Sequence, residues 1–110
     1  MLVRKAHTYS PQTVDTARLL GRMVRLGRVE RRLTIADLAE RVGVTDQTVR
    51  RLEHGDPTVA LGIALEAAVI TGVPLFGDDD GRRRLEARRV DDRLALLPKS
   101  VREPVVSDAF

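Results

Sequence analysis

Four polar side chains, Asp46, Gln47, Arg50 and Arg51, are spaced so that they share one side of a helix turning about 100° per residue. A carboxylate can accept from cytosine N4, an amide can pair with adenine through two hydrogen bonds, and a guanidinium can grip guanine O6 and N7. Thr48, Val49 and Leu52 point the other way and would seat such a helix against a core. The outward face therefore has the groups needed to read base edges. The plainer reading is a solvated face with an Asp46–Arg50 pair at i, i+4, worth a few tenths of a kcal/mol. Taken alone, these residues leave both readings open.

The elements that hold this face are expected to be helical. Apart from the ends, the apolar residues keep helical spacing, and no stretch alternates with the period of two that a half-buried strand requires. The fold class predicted is all-α, a compact bundle of about five helices with flexible tails. Ser10 before Pro11 is an N-cap with proline at the first helical position, and nothing interrupts the pattern until about Arg32. On this first helix Val14, Ala17, Leu20, Gly21, Val24 and Gly27 share one side and Arg18, Arg22 and Arg25 another. Leu19, Met23 and Leu26 form a second apolar stripe, to be covered by the core, a terminal segment or a second subunit.

Thr34 with Asp37 three residues on is an acidic capping box, opening a second helix with the inward stripe Ile35, Leu38, Ala39 and Val42 and a stop at Gly43. Thr45 caps a third helix that closes at Gly55. A fourth is expected to follow Pro57 and Thr58 directly and run to Gly72. Its run VALGIALEAAVIT is apolar nearly all round, which predicts a buried centre or a dimer contact. After GDDDG comes a charged helix from about Gly81 to Leu97, stopped by Pro98. Its stripe Val90, Leu94 and Leu97 can pack on its own domain or on a second copy.

Composition narrows the function classes. The chain has 110 residues, 43% of them hydrophobic, enough for one modest core. The longest uncharged run, the eleven residues from Ala67 to Gly77, is shorter than the roughly 20 that a membrane-spanning helix needs. MLVRKAHTYS lacks the apolar region of a secretory signal and there is no cysteine, so a cytoplasmic, nucleoid-associated protein with no membrane partner is expected.

His7 and His54 are far apart and supply too few ligands for a zinc site. Asp78, Asp79 and Asp80 lack the alternate spacing and closing Glu of a calcium loop, and suit instead the positive end of a helix dipole. No nucleophile with a base and no phosphate loop is present, so no enzyme, metal or cofactor is expected. Charge is distributed in blocks: eleven basic against six acidic side chains in residues 1–53, none against five in 54–81, and eight against five in 82–110. The basic front suits a nucleic-acid or acidic-partner surface, although 17 of the 19 basic residues are Arg, a skew that a GC-rich genome alone would impose.

The segment LTIADLAERVGVTDQTVRRLEHG resembles the helix-turn-helix of the XRE family of phage-repressor and Cro regulators. The matching marks are Leu33 and Thr34 at the cap, Leu38-Ala39 in the second helix, Gly43-Val44 in the turn, Thr45 opening the third helix, and Leu52-Glu53 with Gly55 closing it. The resemblance implies that the third helix enters the major groove of a double-stranded DNA operator while the second crosses the backbone. Asp46, Gln47, Arg50 and Arg51 would then read bases. Thr45 and His54 match phosphate-touching positions, and Arg28 and Glu53 match a pair that forms an internal salt bridge.

Ile35 stands where many members have Gln, and Asp56 where many have a basic residue, so some phosphate contacts are missing, and affinity would be weaker or rest more on dimerisation and on Arg22, Arg25 and Arg41. One such helix specifies only a few base pairs, so a homodimer on half-sites about 34 Å apart is expected.

The flanks YSPQTVDTARLLG, GDPTVALGIALEAAVITGVPLFGDDD and LALLPKSVREP resemble HipB-like antitoxins encoded beside HipA-type kinase toxins. That resemblance implies a transcriptional autorepressor that also restrains a HipA-like kinase. Val101, Val105, Val106 and Phe110 lie in a tail too short to bury them and are available to such a partner, the alternative being a terminus without a role. The other readings are a stand-alone XRE regulator with no toxin partner and a protein-only adaptor. The organisation expected is an N-terminal arm (1–9), a helix-turn-helix domain (10–76), an acidic linker with a C-terminal helix (77–97) and a tail (98–110).

Overall fold

The computed structural model describes residues 8–77 and 79–101. They form five helices, α1 (Pro11–Glu30), α2 (Ile35–Val42), α3 (Asp46–Glu53), α4 (Leu61–Ile70) and α5 (Asp80–Ala95), with no strand among the described residues. The all-α class expected from the apolar spacing is the class observed. The chain divides into two compact units, Met1–Leu75 with α1 to α4 and Phe76–Phe110 with α5.

Local chemistry sets most helix ends. The Ser10 hydroxyl accepts from the Thr13 N–H at 3.2 Å, and Pro11 occupies a position where no N–H is needed. α1 stops at Glu30, slightly earlier than its pattern suggested, because the N–H groups of Arg32 and Leu33 turn back to the carbonyls of Val29 and Arg28. In α2 both arms of the capping box are made: Asp37 N–H donates to Thr34 Oγ1 at 3.0 Å and Thr34 N–H donates to Asp37 Oδ2 at 2.8 Å. The Thr34 backbone bond, followed by its hydroxyl, holds the Asp37 carboxyl below the usual carboxylate range. Gly43 ends α2 with φ 86°, letting its own N–H and that of Val44 both reach the Ala39 carbonyl, at 2.8 and 2.9 Å.

The core of the first unit is built from Val24 of α1, Leu38 and Ala39 of α2, Val49 and Leu52 of α3, Ala64, Ala67 and Ala68 of α4, and Val73. Each helix supplies one stripe, and α3 is gripped from both α1 and α2. Two glycines allow the closest approaches of α1. A methyl group on Gly21 would collide with the Leu52 carbonyl oxygen and lie 2.7 Å from that of Glu53, and one on Gly27 would collide with the Thr71 carbonyl oxygen. The ends of α3 and α4 therefore lie directly against the backbone of α1. Of the second apolar stripe of α1, Met23 packs against the core, while Leu19 is 57% and Leu26 60% exposed.

α4 differs from expectation at its start. It begins at Leu61, not directly after Thr58, because Pro57 to Ala60 form a turn anchored by Asp56, whose Oδ1 accepts from the Thr58 N–H at 2.8 Å. Its apolar circumference is buried on one side. The small residues Ala64, Ala67 and Ala68 face inward, while Leu61 and Val69 are 73% and 64% exposed. Thr71, buried at its C-cap, satisfies its hydroxyl on the Ala67 carbonyl at 2.7 Å.

In the second unit α5 begins at Asp80 and ends at Ala95, inside the Gly81 to Leu97 span expected at its C-terminal end. Asp79 is its N-cap, accepting from the Arg82 N–H at 2.8 Å, and Asp80 pairs with Arg83 in the first turn. No residue of α5 is buried, and Val90, Leu94 and Leu97 are all exposed. Val101 is exposed as well, whereas His7, Asp78, Val105, Val106 and Phe110 lie outside the described residues. Among the described residues no helix is long and apolar enough to cross a membrane, and no acidic or histidine cluster could hold a metal ion.

Candidate nucleic-acid interface

Thr45 opens α3 by accepting the Thr48 N–H on its hydroxyl at 3.2 Å, satisfying one of the donors left without a helical partner at the start of the helix. From there Val49 and Leu52 turn into the core, at 2% and 4% exposure, and Asp46, Gln47 and Arg50 turn to solvent. No Asp46–Arg50 ion pair forms among the described residues, so the groups on this face are not consumed by each other.

The fourth group of the set behaves differently. Arg51 is half-buried, its Nε donating to Asp56 Oδ2 and its Nη2 to Thr58 Oγ1, both at 2.8 Å. Asp56, at a position where the resemblance had pointed to a basic residue, is thus paired within the chain. The Thr58 hydroxyl, then Arg51, then the Thr58 backbone pull its carboxyl down to about 2.

This shift carries a pH signature. Because the folded value lies below the ordinary 3.8, the stability that Asp56 contributes is complete above that value and is lost as pH falls toward about 2. In an NMR titration the Asp56 carboxyl should show a midpoint near 2, moving up toward the ordinary value in Thr58→Ala, which removes the largest cause. An unshifted wild-type midpoint would mean that the ring of bonds does not persist in solution.

The helix is fixed to α1 by an ion pair. Arg28 Nε donates to Glu53 Oε2 at 2.6 Å and Nη2 to Oε1 at 3.1 Å, while Nη1 donates to the Leu33 carbonyl at 2.9 Å. The two side chains are only 11% and 5% exposed. The hydrogen bond to Glu53 raises the Arg28 pKa above its usual value despite the opposing effect of burial. The two-pronged contact ties the last turn of α3 to α1, and the third bond ties the same guanidinium to Leu33, just ahead of the α2 N-cap.

The basic side of α1 is turned toward α3. Arg25 lines a cleft with Arg50 and His54, and Arg18 lines another with Gln47, Arg50 and Arg51. Arg22 lies between them on the same face of α1. Arg22, Arg25 and Arg41 are exposed, and none forms an ion pair among the described residues. His54 shares a 2.7 Å hydrogen bond between its Nδ1 and the Arg50 carbonyl. Ile35 is partly buried against the core and offers no polar contact.

Arg18 lines the cleft beside α3, a placement that its position on the basic face of α1 did not by itself reveal. Its proximity to α3 comes from Gly55, whose φ of 84° and lack of a Cβ let the chain turn 2.7 Å from the Arg18 Cα, measured to where a Cβ would stand.

These features, a capped eight-residue helix with polar groups outward, a three-residue turn before it and a preceding helix braced behind, define a nucleic-acid-binding architecture. Residues 24–77, just under half of the chain, match the helix-turn-helix family model, and this part of the protein is an XRE-type helix-turn-helix domain. Comparisons with curated proteins and with solved structures found no match.

Proposed function

We propose that this protein is a sequence-specific DNA-binding transcriptional repressor in which α3 occupies the major groove and α2 crosses the backbone. The observation that carries this reading is the division of α3: Asp46, Gln47 and Arg50 are free and outward, and Val49 and Leu52 are buried behind them. Arg18, Arg22 and Arg25 on α1, with Thr45 and His54 at the ends of α3, supply a rim suited to phosphates. Arg41, exposed in the last turn of α2, suits the flanking backbone. A single α3 covers only a few base pairs, so the reading includes a homodimer, for which Leu61 and Val69 of α4 are exposed apolar candidates. In this reading residues 10–76 form the DNA-binding domain and the protein works in the cytoplasm on the nucleoid.

Arg50→Ala and Gln47→Ala should each weaken a site selected from a random duplex pool by about 1 to 3 kcal/mol and relax preference at one or two bases. Arg22→Ala should weaken all duplexes alike and lower the salt slope by about 1. Equal losses on selected and random DNA for Arg50→Ala would remove α3 as the reader.

The finer role proposed is that of antitoxin and autorepressor for a HipA-like kinase encoded alongside. The resemblance of the flanking segments and the apolar residues of the tail, with Val101 98% exposed, support it. Copurification of that kinase with the full chain, and its loss when residues 99–110 are deleted, is the test.

A further inference from the structure

Arg51 projects from the last turn of α3, but its guanidinium is held in a ring of hydrogen bonds. Asp56 Oδ2 takes its Nε and Thr58 Oγ1 takes its Nη2; the Thr58 hydroxyl donates in turn to Asp56 Oδ1 at 2.6 Å, and the Thr58 N–H donates to the same oxygen at 2.8 Å. The left-handed turn at Gly55 brings residues 56–58 back beside α3 and closes the ring. It stands at the rim of the cleft lined by Arg18, Gln47 and Arg50, with the Arg51 and Asp56 side chains 40% and 30% exposed. Two of the five guanidinium N–H donors, Nε and one on Nη2, are therefore held by the turn, and the positive charge of Arg51 is offset by the Asp56 carboxylate beside it.

We propose that the Asp56–Thr58 turn is an affinity-setting clamp that keeps Arg51 out of DNA contact. The base-reading set is then Asp46, Gln47 and Arg50, and binding to any duplex is held down by one phosphate contact. Arg51 is in this account a positioning residue that anchors the turn. The inference rests on the DNA-binding reading above and departs from it at one residue. Phosphate contacts supply sequence-independent affinity, each adding about 0.9 to the slope of log K against log salt. One contact more or less therefore changes binding about fivefold at roughly 0.15 M salt.

The test measures binding of full-length variants to a random-sequence duplex of about 30 base pairs over a salt series, with base preference read by selection from the same pool. Asp56→Asn should bind the random duplex about fivefold more tightly than wild type, with a slope steeper by about 0.9. Thr58→Ala, which loosens Arg51 without altering any charge, should move in the same direction by less. The double variant Arg51→Ala/Asp56→Asn removes the pair as a neutral unit and should stay within about twofold of wild type, with unchanged base preference. Circular dichroism melts establish that each variant is folded, and Thr58→Ala carries the test if Asp56→Asn is not.

The clamp is overturned if Asp56→Asn and Thr58→Ala bind as wild type does, or if the double variant loses tenfold or relaxes a base position. The latter result would mean that Arg51 leaves the ring and reads DNA. If wild-type protein binds no duplex even at low salt, the DNA-binding reading itself falls, and the clamp with it. If wild type binds and the variants do not differ from it, only the clamp falls.

Discussion

Replacing Glu53 by alanine should lower the free energy of unfolding by about 3 to 5 kcal/mol, a large part of the total stability of a small domain. Glu53 takes both prongs of the Arg28 guanidinium, and the pair is about nine-tenths buried. Truncation leaves a charged group in a site built for two, with only the Leu33 carbonyl still accepting from it. The cost is that of an uncompensated charge, which exceeds what the pair contributes when intact. Arg28→Met combined with Glu53→Met should for the same reason recover most of the loss. Urea denaturation measures both, as a shift of midpoint at constant slope. A loss below 1 kcal/mol for Glu53→Ala would show that water already reaches the pair.

The second large effect is expected at Gly21. Alanine is the better helix former by about 1 kcal/mol, so an exposed glycine in mid-helix would gain from the change. Here the added methyl meets the backbone carbonyls of Leu52 and Glu53, atoms that cannot rotate away. Relief requires α3 to shift from α1, which strains the Arg28–Glu53 pair as well. A net destabilisation of about 2 to 3 kcal/mol is expected, with weakened selected-site binding in the fraction that stays folded. Gly62→Ala is the control, since nothing stands within 4 Å of its Cβ position, and it should be neutral or mildly stabilising. A thermal melt in which both variants gain stability would contradict the close approach at Gly21.

The features legible in the sequence were those settled by neighbours in the chain. Ser10-Pro11, the Thr34–Asp37 box, Gly43 and Thr45 act over a few residues, and each marks a helix end in the structure. The inward turn of Val49 and Leu52 followed from rotation about one helix axis, and it divides α3 as observed. The start of α4 was not readable in this way, because its N-cap Ala60 makes no side-chain bond and the preceding turn is organised by Asp56 from outside the helix.

The orientation of α4 was hidden for a different reason. A segment apolar on every side has no periodicity to point inward, and its alanines face the core while Leu61 and Val69 face out. The same limit hid the capture of Arg51. Asp56 and Thr58 are five and seven residues away across a left-handed turn, where helical spacing no longer tells which side chains meet.

The absence of any buried position in the sixteen residues of α5 has a thermodynamic consequence. A helix of that length, secured by one terminal cap and neighbouring ion pairs, sits near the balance point between coil and helix in water. Its ordering costs little to undo and little to complete. Any molecule that covers Leu85, Val90 and Leu94 would shift that balance by mass action, so the helical content of this segment reports occupancy in a way that α1 to α4, locked around Leu38 and Val24, do not.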